Sequence, residues 1–148
     1  MQSQVEPNLS YFIAKARSID GRSFQKKIKV AILSSFTING LEEALRVKCA
    51  ESDITCATYL CGYGQYNQDI LDQSSKLYEF SPDITFMIID TRSVLSTLFY
   101  TPYTIPANDR RTYIDKRVAD FVNLVRTFKN RTDSKLVLTN CSIPNYSP

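Results

Sequence analysis

The sequence predicts an α/β fold, a three-layer α/β/α sandwich built on a mainly parallel sheet of four to five strands. Segments with apolar residues at helical spacing alternate with short apolar or β-branched runs along the chain. The first of these runs, Ile28 to Leu33, is nearly all apolar, which is typical of a strand buried on both faces of a parallel sheet. Right-handed crossovers between such strands place helices on both faces.

Each element of the first half follows from a local pattern. Apolar spacing predicts a leading helix over Leu9 to Ile19, ended by Asp20-Gly21. After the first strand, Asn39 and Glu42 resemble a capping box that begins the second helix. The β-branched run Ile54 to Leu60 is the second predicted strand.

The second half continues the alternation. We expect a short helix from Asp69 to Tyr78, a third strand from Ile84 to Asp90 and a helical segment from Arg92 to Phe99. A long amphipathic helix begins at Asp109, and a fourth strand covers Lys135 to Thr139.

Two parts of the chain are predicted, a leading helix and linker over residues 1–27 and an α/β domain over residues 28–148. The last predicted strand is followed by Asn140 to Pro148 without a closing helix. We therefore expect the domain to be truncated at its C-terminal end.

Composition narrows the classes of function. The 148 residues carry a formal charge of +3, no histidine and four cysteines without Cys-x-x-Cys spacing, so we expect reduced thiols and no metal site. Basic residues are locally dense only between Arg22 and Lys29, which does not favour a nucleic-acid partner. Without a long apolar run or a signal peptide, the sequence predicts a cytoplasmic protein with no membrane segment.

Polar residues follow the predicted strands where each strand ends, and ligands of open parallel sheets bind beyond these carboxyl ends. We expect one shared edge there, lined by Ser34, Ser35, Thr37, Cys61, the loop from Tyr63 to Asn67, Asp90, Thr91, Arg92, Asn140 and Cys141. The turn from Ser34 to Thr37 lies between a strand and a predicted helix, so its hydroxyls are expected to face unpaired helix N–H groups.

Several kinds of chemistry stay open at this edge. Ser35 is a candidate nucleophile, but serine needs a base; the chain has no histidine, and Asp90 is the candidate substitute for that base. Alternatively, Ser34 and Ser35 cap the helix and bind a ligand by hydrogen bonds. Cys61 and Cys141 are further candidate nucleophiles, although a small buried thiol is the more common role. Gly62 and Gly64 suit either a ligand-facing loop or a tight turn, and no Walker sequence follows them.

A family pattern appears once these segments are read together. The Ser35-Phe-Thr37 turn, Tyr63-Gly-Gln-Tyr-Asn-Gln-Asp-Ile-Leu71, Leu77-Tyr-Glu-Phe-Ser-Pro-Asp83 and the strand to Asp90 resemble the N-terminal domain of FkbH-like proteins. The resemblance is specific from Lys29 to Asp90 and recurs at Pro144 to Pro148. In that family, a flavodoxin-type domain similar to SGNH hydrolases precedes a haloacid-dehalogenase-like catalytic domain.

The resemblance implies a role and a set of residues. The best-described members of that family load a glyceryl unit from a phosphorylated glycerate on an acyl carrier protein, in routes to polyketide extender units such as methoxymalonyl. The implied partners are a carrier protein and the haloacid-dehalogenase-like domain, with no cofactor in this chain. Ser35 and Asp90 become candidate catalytic residues, and the candidate substrate-binding residues are Ser34, Thr37, Gly64, Gln65, Tyr66, Arg92 and Asn140.

Three departures from the pattern limit what this chain does alone. Ser34 occupies the position of an expected glycine, the Asp-x-x-His element of active SGNH esterases is missing, and the haloacid-dehalogenase-like domain is absent from these residues. We expect part of a glyceryl or acyl transferase whose covalent chemistry takes place elsewhere. A stand-alone esterase or acyltransferase that uses Ser35, and a non-catalytic interaction domain, are the alternatives.

Overall fold

A computed structural model describes residues 8–19 and 24–141, with one helix before the first strand and helices between all the strands. The strands are β1 (Lys26–Ser34), β2 (Ile54–Leu60), β3 (Ile84–Ile88) and β4 (Lys135–Leu138). The helices are α1 (Leu9–Ile19), α2 (Leu41–Ala50), α3 (Tyr66–Leu71), α4 (Lys76–Phe80), α5 (Thr91–Leu95), α6 (Thr97–Tyr100) and α7 (Arg110–Arg131). Two short 3₁₀ turns, Pro102–Thr104 and Ala107–Asp109, precede α7.

The four strands form one parallel sheet in the order β2-β1-β3-β4. Strand β1 lies between β2 and β3, with Ile32 opposite both Leu60 and Phe86. Its second half, Val30 to Ser34, is buried, as expected for a strand that is covered on both faces. The predicted α/β sandwich with a parallel sheet is therefore confirmed, with four strands in the described residues.

Successive residues of β1 point to opposite faces of the sheet. On one face, Leu33 and Met87 pack with Leu124 and Phe128 of α7 in the main hydrophobic cluster, which also includes Tyr66 and Ile70 of α3. The other face is covered by α2, which contacts β2, and by α1, which packs on α2. Lys15 of α1 and Glu51 after α2 form an ion pair at 3.0 Å.

The predicted capping box before α2 is wrong. The N-cap residue is Gly40, with φ 83°, and no side chain caps this helix. The side chain of Glu42 instead accepts a hydrogen bond from Thr58 Oγ1 at 2.6 Å. Only glycine adopts this left-handed φ without strain, and a Cβ atom at Gly40 would lie 2.0 Å from Leu9 Cδ1. The start of α2 is therefore set by the left-handed backbone conformation of Gly40, and Asn39 does not cap the helix.

The structure also subdivides two predicted helices. The segment expected from Asp69 to Tyr78 is divided between α3 and α4, because Asp72 turns the chain and its carboxylate accepts hydrogen bonds from Ser74. The segment expected from Arg92 to Phe99 is divided between α5 and α6 at Ser96, which has φ 47°. The predicted break at Asp20-Gly21 lies outside the described residues.

In the described ranges, no helix is both long and apolar enough to span a membrane.

Candidate functional site

The carboxyl edge of the sheet, meaning the ends of the four strands and the loops that leave them, gathers most of the predicted site residues. The hydroxyl of Ser34 bonds to the backbone of the turn that follows β1. Its Oγ accepts a hydrogen bond from Phe36 N at 3.1 Å and donates one to Phe36 O at 2.7 Å. Its backbone N–H donates to Cys61 Sγ at 3.2 Å, so the same residue ties β1 to the end of β2. Ser34 is buried, and its hydroxyl has a structural task.

Ser35 joins β1 to the end of β3. Its backbone N–H donates to Ile88 O at 3.3 Å, and its Oγ accepts a hydrogen bond from Asp90 N at 2.9 Å. The residue is 8% exposed. The expectation that Ser34 and Ser35 face the free N–H groups of the next helix is wrong, because α2 begins only at Leu41 and neither serine caps it.

Asp90 lies beside Ser35, but its carboxylate is directed to another partner. Oδ1 accepts from Arg92 N at 2.7 Å and caps α5, and Oδ2 accepts from Arg92 Nε at 2.8 Å and from Arg92 Nη2. Hydrogen bonding to the Arg92 side chain lowers the pKa of Asp90. A carboxylate with a lowered pKa that is paired with a guanidinium is a weak general base. The structure therefore brings Ser35 and Asp90 together through the Asp90 backbone and not through its carboxylate.

Cys61 is buried at the same edge, and its thiol donates to Ser34 O at 3.6 Å. Burial raises the pKa of Cys61, so at neutral pH the thiol stays protonated, and only the thiolate is an effective nucleophile. Cys141 is exposed beyond the end of β4. The geometry at Cys61 fits the structural alternative that the sequence left open.

The loop after β2 has one glycine that its conformation requires. Gly64 has φ 65° and open space around its Cα, whereas a Cβ at Gly62 would meet the flexible end of the Gln65 side chain. Gln65 is exposed, and its backbone N–H donates to Gly62 O at 3.0 Å. Tyr66 is buried in the main cluster, and burial raises the pKa of its phenol. Of this loop, Gln65 is available at the surface and Tyr66 is largely part of the core.

Two further candidates, Thr37 and Asn140, are exposed near the same edge. Their side chains form no hydrogen bond with another residue in the described part of the chain. The carboxyl edge thus contains a closed inner group of Ser34, Ser35, Cys61 and Asp90, and an exposed outer group of Thr37, Gln65, Arg92 and Asn140. Among residues 8–19 and 24–141, no three acidic or cysteine side chains converge to hold a metal ion.

The sequence did not reveal a groove of about 310 Å³ between α3, α5 and α7, which we call the α3–α7 groove. Arg117 lies in this groove, with Nε donating to Val94 O at 3.0 Å and Nη1 at 3.9 Å from Asp120. Asn67 and Asn123 add amide groups to the lining. In the sequence of α7, polar residues recur at helical spacing beside the apolar stripe, at positions 117, 120, 123 and 127. This pattern alone does not predict a groove, because the groove also requires α3 to pack beside α7.

The strand order, the helices on both faces and the polar carboxyl edge define a flavodoxin-like α/β domain. Within that class, the chain belongs to the FkbH N-terminal domain family, whose model matches residues 29–144. The resemblance seen in the sequence is thereby confirmed.

The fold is similar to that in the crystal structure of the N-terminal part of a Bacteroides fragilis protein, which contains a phosphatase domain and is complexed with Mg. The TM-score is 0.65 at 21% identity, over 81% of this chain and 30% of that one. The chain therefore spans less than a third of the length of that structure. No curated protein sequence is significantly similar to this chain.

Proposed function

We propose that this chain is the N-terminal domain of an FkbH-like protein that supports transfer of a glyceryl or acyl unit to an acyl carrier protein, in the biosynthesis of a methoxymalonyl-type polyketide extender unit. Membership of the FkbH N-terminal domain family supports this role. The similar fold in a protein that contains a phosphatase domain is compatible with a haloacid-dehalogenase-like partner domain. In this proposal, that partner domain carries out the covalent step.

One observation supports placing the covalent step in another domain. The Ser35 hydroxyl accepts a backbone hydrogen bond while the neighbouring carboxylate of Asp90 is paired with Arg92. A serine nucleophile requires a base within hydrogen-bonding reach of its hydroxyl, and no described side chain provides one. The edge is thus better suited to hold a substrate than to form an ester with it.

The proposal assigns different tasks to the two groups of the carboxyl edge. Ser34 and Ser35 hold the strand ends in place, and Gly64 gives the loop its shape. The exposed side chains of Thr37, Gln65, Arg92 and Asn140 are the proposed contacts to the substrate or to the catalytic domain, with Tyr66 contributing from the wall of the α3–α7 groove. Because Ser35 has no base beside its hydroxyl and the outer group is exposed, the geometry also favours a second candidate function, that of a non-catalytic interaction domain.

The test combines binding with intact-mass analysis. The 148-residue chain is titrated with an acyl carrier protein by calorimetry, and is then incubated with the same carrier bearing a glyceryl thioester. We expect carrier binding and no mass increase of the chain. An acyl adduct that disappears in Ser35→Ala would overturn the proposed division and establish an acyl-enzyme. A chain that binds no carrier contradicts the supporting role and leaves the interaction domain with a different partner.

A further inference from the structure

A cleft of about 950 Å³ opens at the amino edge of the sheet, opposite the Ser35 site. Four chain segments far apart in sequence form it: the start of β1, the start of β2 at Ile54, the segment from α4 into β3, and the segment from the end of α7 into β4. We call it the amino-edge cleft. Its lining carries the basic residues Lys26, Lys27, Arg131 and Lys135 and the acidic residues Asp83 and Asp133, an excess of two positive charges.

Asp83 links β1 to β4 by hydrogen bonds, and its carboxylate bonds to the backbone of β1. Its backbone N–H donates to Lys29 O at 2.9 Å, and its carbonyl accepts from Lys135 N at 2.9 Å. Its Oδ2 accepts from the backbone N–H of Lys29 at 2.8 Å. Because this carboxylate is engaged with the strand backbone, it does not pair with the lysine side chains around it.

Arg131 forms a fixed part of the lining. Its Nη1 donates to the carbonyl oxygens of Ile70 and Leu71 at 2.8 and 2.6 Å, and its guanidinium lies 6.0 Å from the centre of the Tyr78 ring. These contacts satisfy carbonyl groups at the end of α3. The positive charge at this position is therefore held in place by the fold.

The three lysines differ from Arg131. Lys26, Lys27 and Lys135 are exposed, and their ammonium groups form no hydrogen bond or ion pair with any residue that the structure describes. By contrast, Lys15 and Lys48 each form an ion pair with Glu51. Because the lining keeps an excess of two positive charges and no ion pair neutralises these lysines, the cleft attracts an anionic surface and steers its approach.

We propose that the amino-edge cleft is the docking site for the acidic surface of the acyl carrier protein, an inference that rests on the proposed function. The cleft is open and much larger than a single phosphate requires, which favours a protein surface with several carboxylates. Strand β1 has 9 residues, so about 30 Å separates the cleft from the carboxyl edge. A carrier docked here leaves Ser35, Arg92 and the α3–α7 groove free for the small substrate or the catalytic domain.

The test uses paired charge reversals in the 148-residue chain. Lys27→Glu/Lys135→Glu changes the cleft, whereas Lys76→Glu/Lys116→Glu makes the same change in net charge at exposed residues that do not line it. Calorimetry with an apo carrier protein at 50 mM salt should show at least tenfold weaker binding for the cleft pair and at most a twofold change for the control pair. Raising the salt to 300 mM should weaken the wild-type complex.

Each result separates this inference from the proposed function. Carrier binding that survives in the cleft variant, or that falls equally in both variants, overturns docking at the cleft and leaves the proposed function standing. A wild-type chain that binds no carrier overturns the proposed function and the docking together. If inorganic pyrophosphate, but not the carrier, shifts the NMR signals of Lys27 and Lys135, the cleft takes a small phosphate ligand and the inference is wrong. Circular dichroism of both variants serves as the check that they are folded.

Discussion

Replacing Ser35 by alanine tests whether its hydroxyl holds the sheet together or carries out chemistry. The change removes the acceptor of the Asp90 N–H bond, which is 2.9 Å long. The bond between Ser35 N and Ile88 O uses the backbone and is expected to persist. The perturbation is therefore one lost acceptor at the junction of β1 and β3.

The size of the effect follows from burial. Ser35 is 8% exposed, so water reaches the abandoned N–H group poorly, and an unsatisfied donor of this kind costs about 1–3 kcal/mol. Asp90 itself is only partly buried, which favours the lower half of that range. We expect the free energy of unfolding to fall by about 1–2 kcal/mol.

Urea denaturation monitored by circular dichroism measures this change. With a slope of about 2 kcal/mol/M for a domain of this size, the midpoint should fall by roughly 0.5–1 M. Thr37→Ala is the matched control, because Thr37 is exposed and its hydroxyl has no described partner; its effect should stay within about 0.5 kcal/mol. The structural reasoning is refuted if Ser35→Ala is as stable as this control and if the wild-type chain hydrolyses a p-nitrophenyl ester that the variant does not. Ser35 would then be a nucleophile.

Three other changes probe separate features. Thr85→Val leaves the buried Ser134 hydroxyl without its partner at 2.8 Å and should cost about 1–3 kcal/mol in urea denaturation, while adding Ser134→Ala should cost less than the two single changes summed. Arg92→Gln should raise the pKa of Asp90, which hydrogen bonding to Arg92 lowers, in a carboxyl-carbon NMR titration; an unchanged titration contradicts the pairing. Because the folded-state pKa of Asp90 lies below the unfolded one, its contribution to stability is present at neutral pH and is lost as the pH falls through the folded-state pKa; this acid-induced loss should be smaller in Arg92→Gln. Iodoacetamide at pH 8 should modify exposed Cys141 before Cys56 and Cys61, since burial raises the pKa of both thiols, that of Cys56 to about 12; peptide mapping that finds equal modification contradicts this order.

The long periodic elements could be predicted from local sequence because their apolar spacing and their burial agree. Helix α1 and strand β2 have the predicted bounds, and α7 begins one residue after Asp109. The start of α2 could not be predicted in this way. Its position depends on Gly40 and on the approach of Leu9 from another helix, and local capping patterns contain no information on such a contact.

The sequence predicted which residues gather at the candidate site, but not which of their atoms bond to each other. Parallel strands bring their carboxyl ends to one edge, so the proximity of Ser35 and Asp90 follows from the fold class. Which Asp90 atom meets Ser35 depends on how β3 leads into α5. The amino-edge cleft was harder still to predict from the sequence, because Lys135 comes near Lys27 only through the pairing of β4 with β3 and of β3 with β1.

The central position of β1 has a consequence for folding during synthesis. The chain emerges from the ribosome N-terminus first, so β1 can pair with β2 once residue 60 has emerged, but its second edge stays open until β3 follows. The contacts of Ser35 with Ile88 and Asp90 link positions more than fifty residues apart, and such non-local pairing slows folding. A nascent chain halted between residues 60 and 84 therefore exposes an apolar strand edge, and this is the stage at which a chaperone would protect the domain from aggregation.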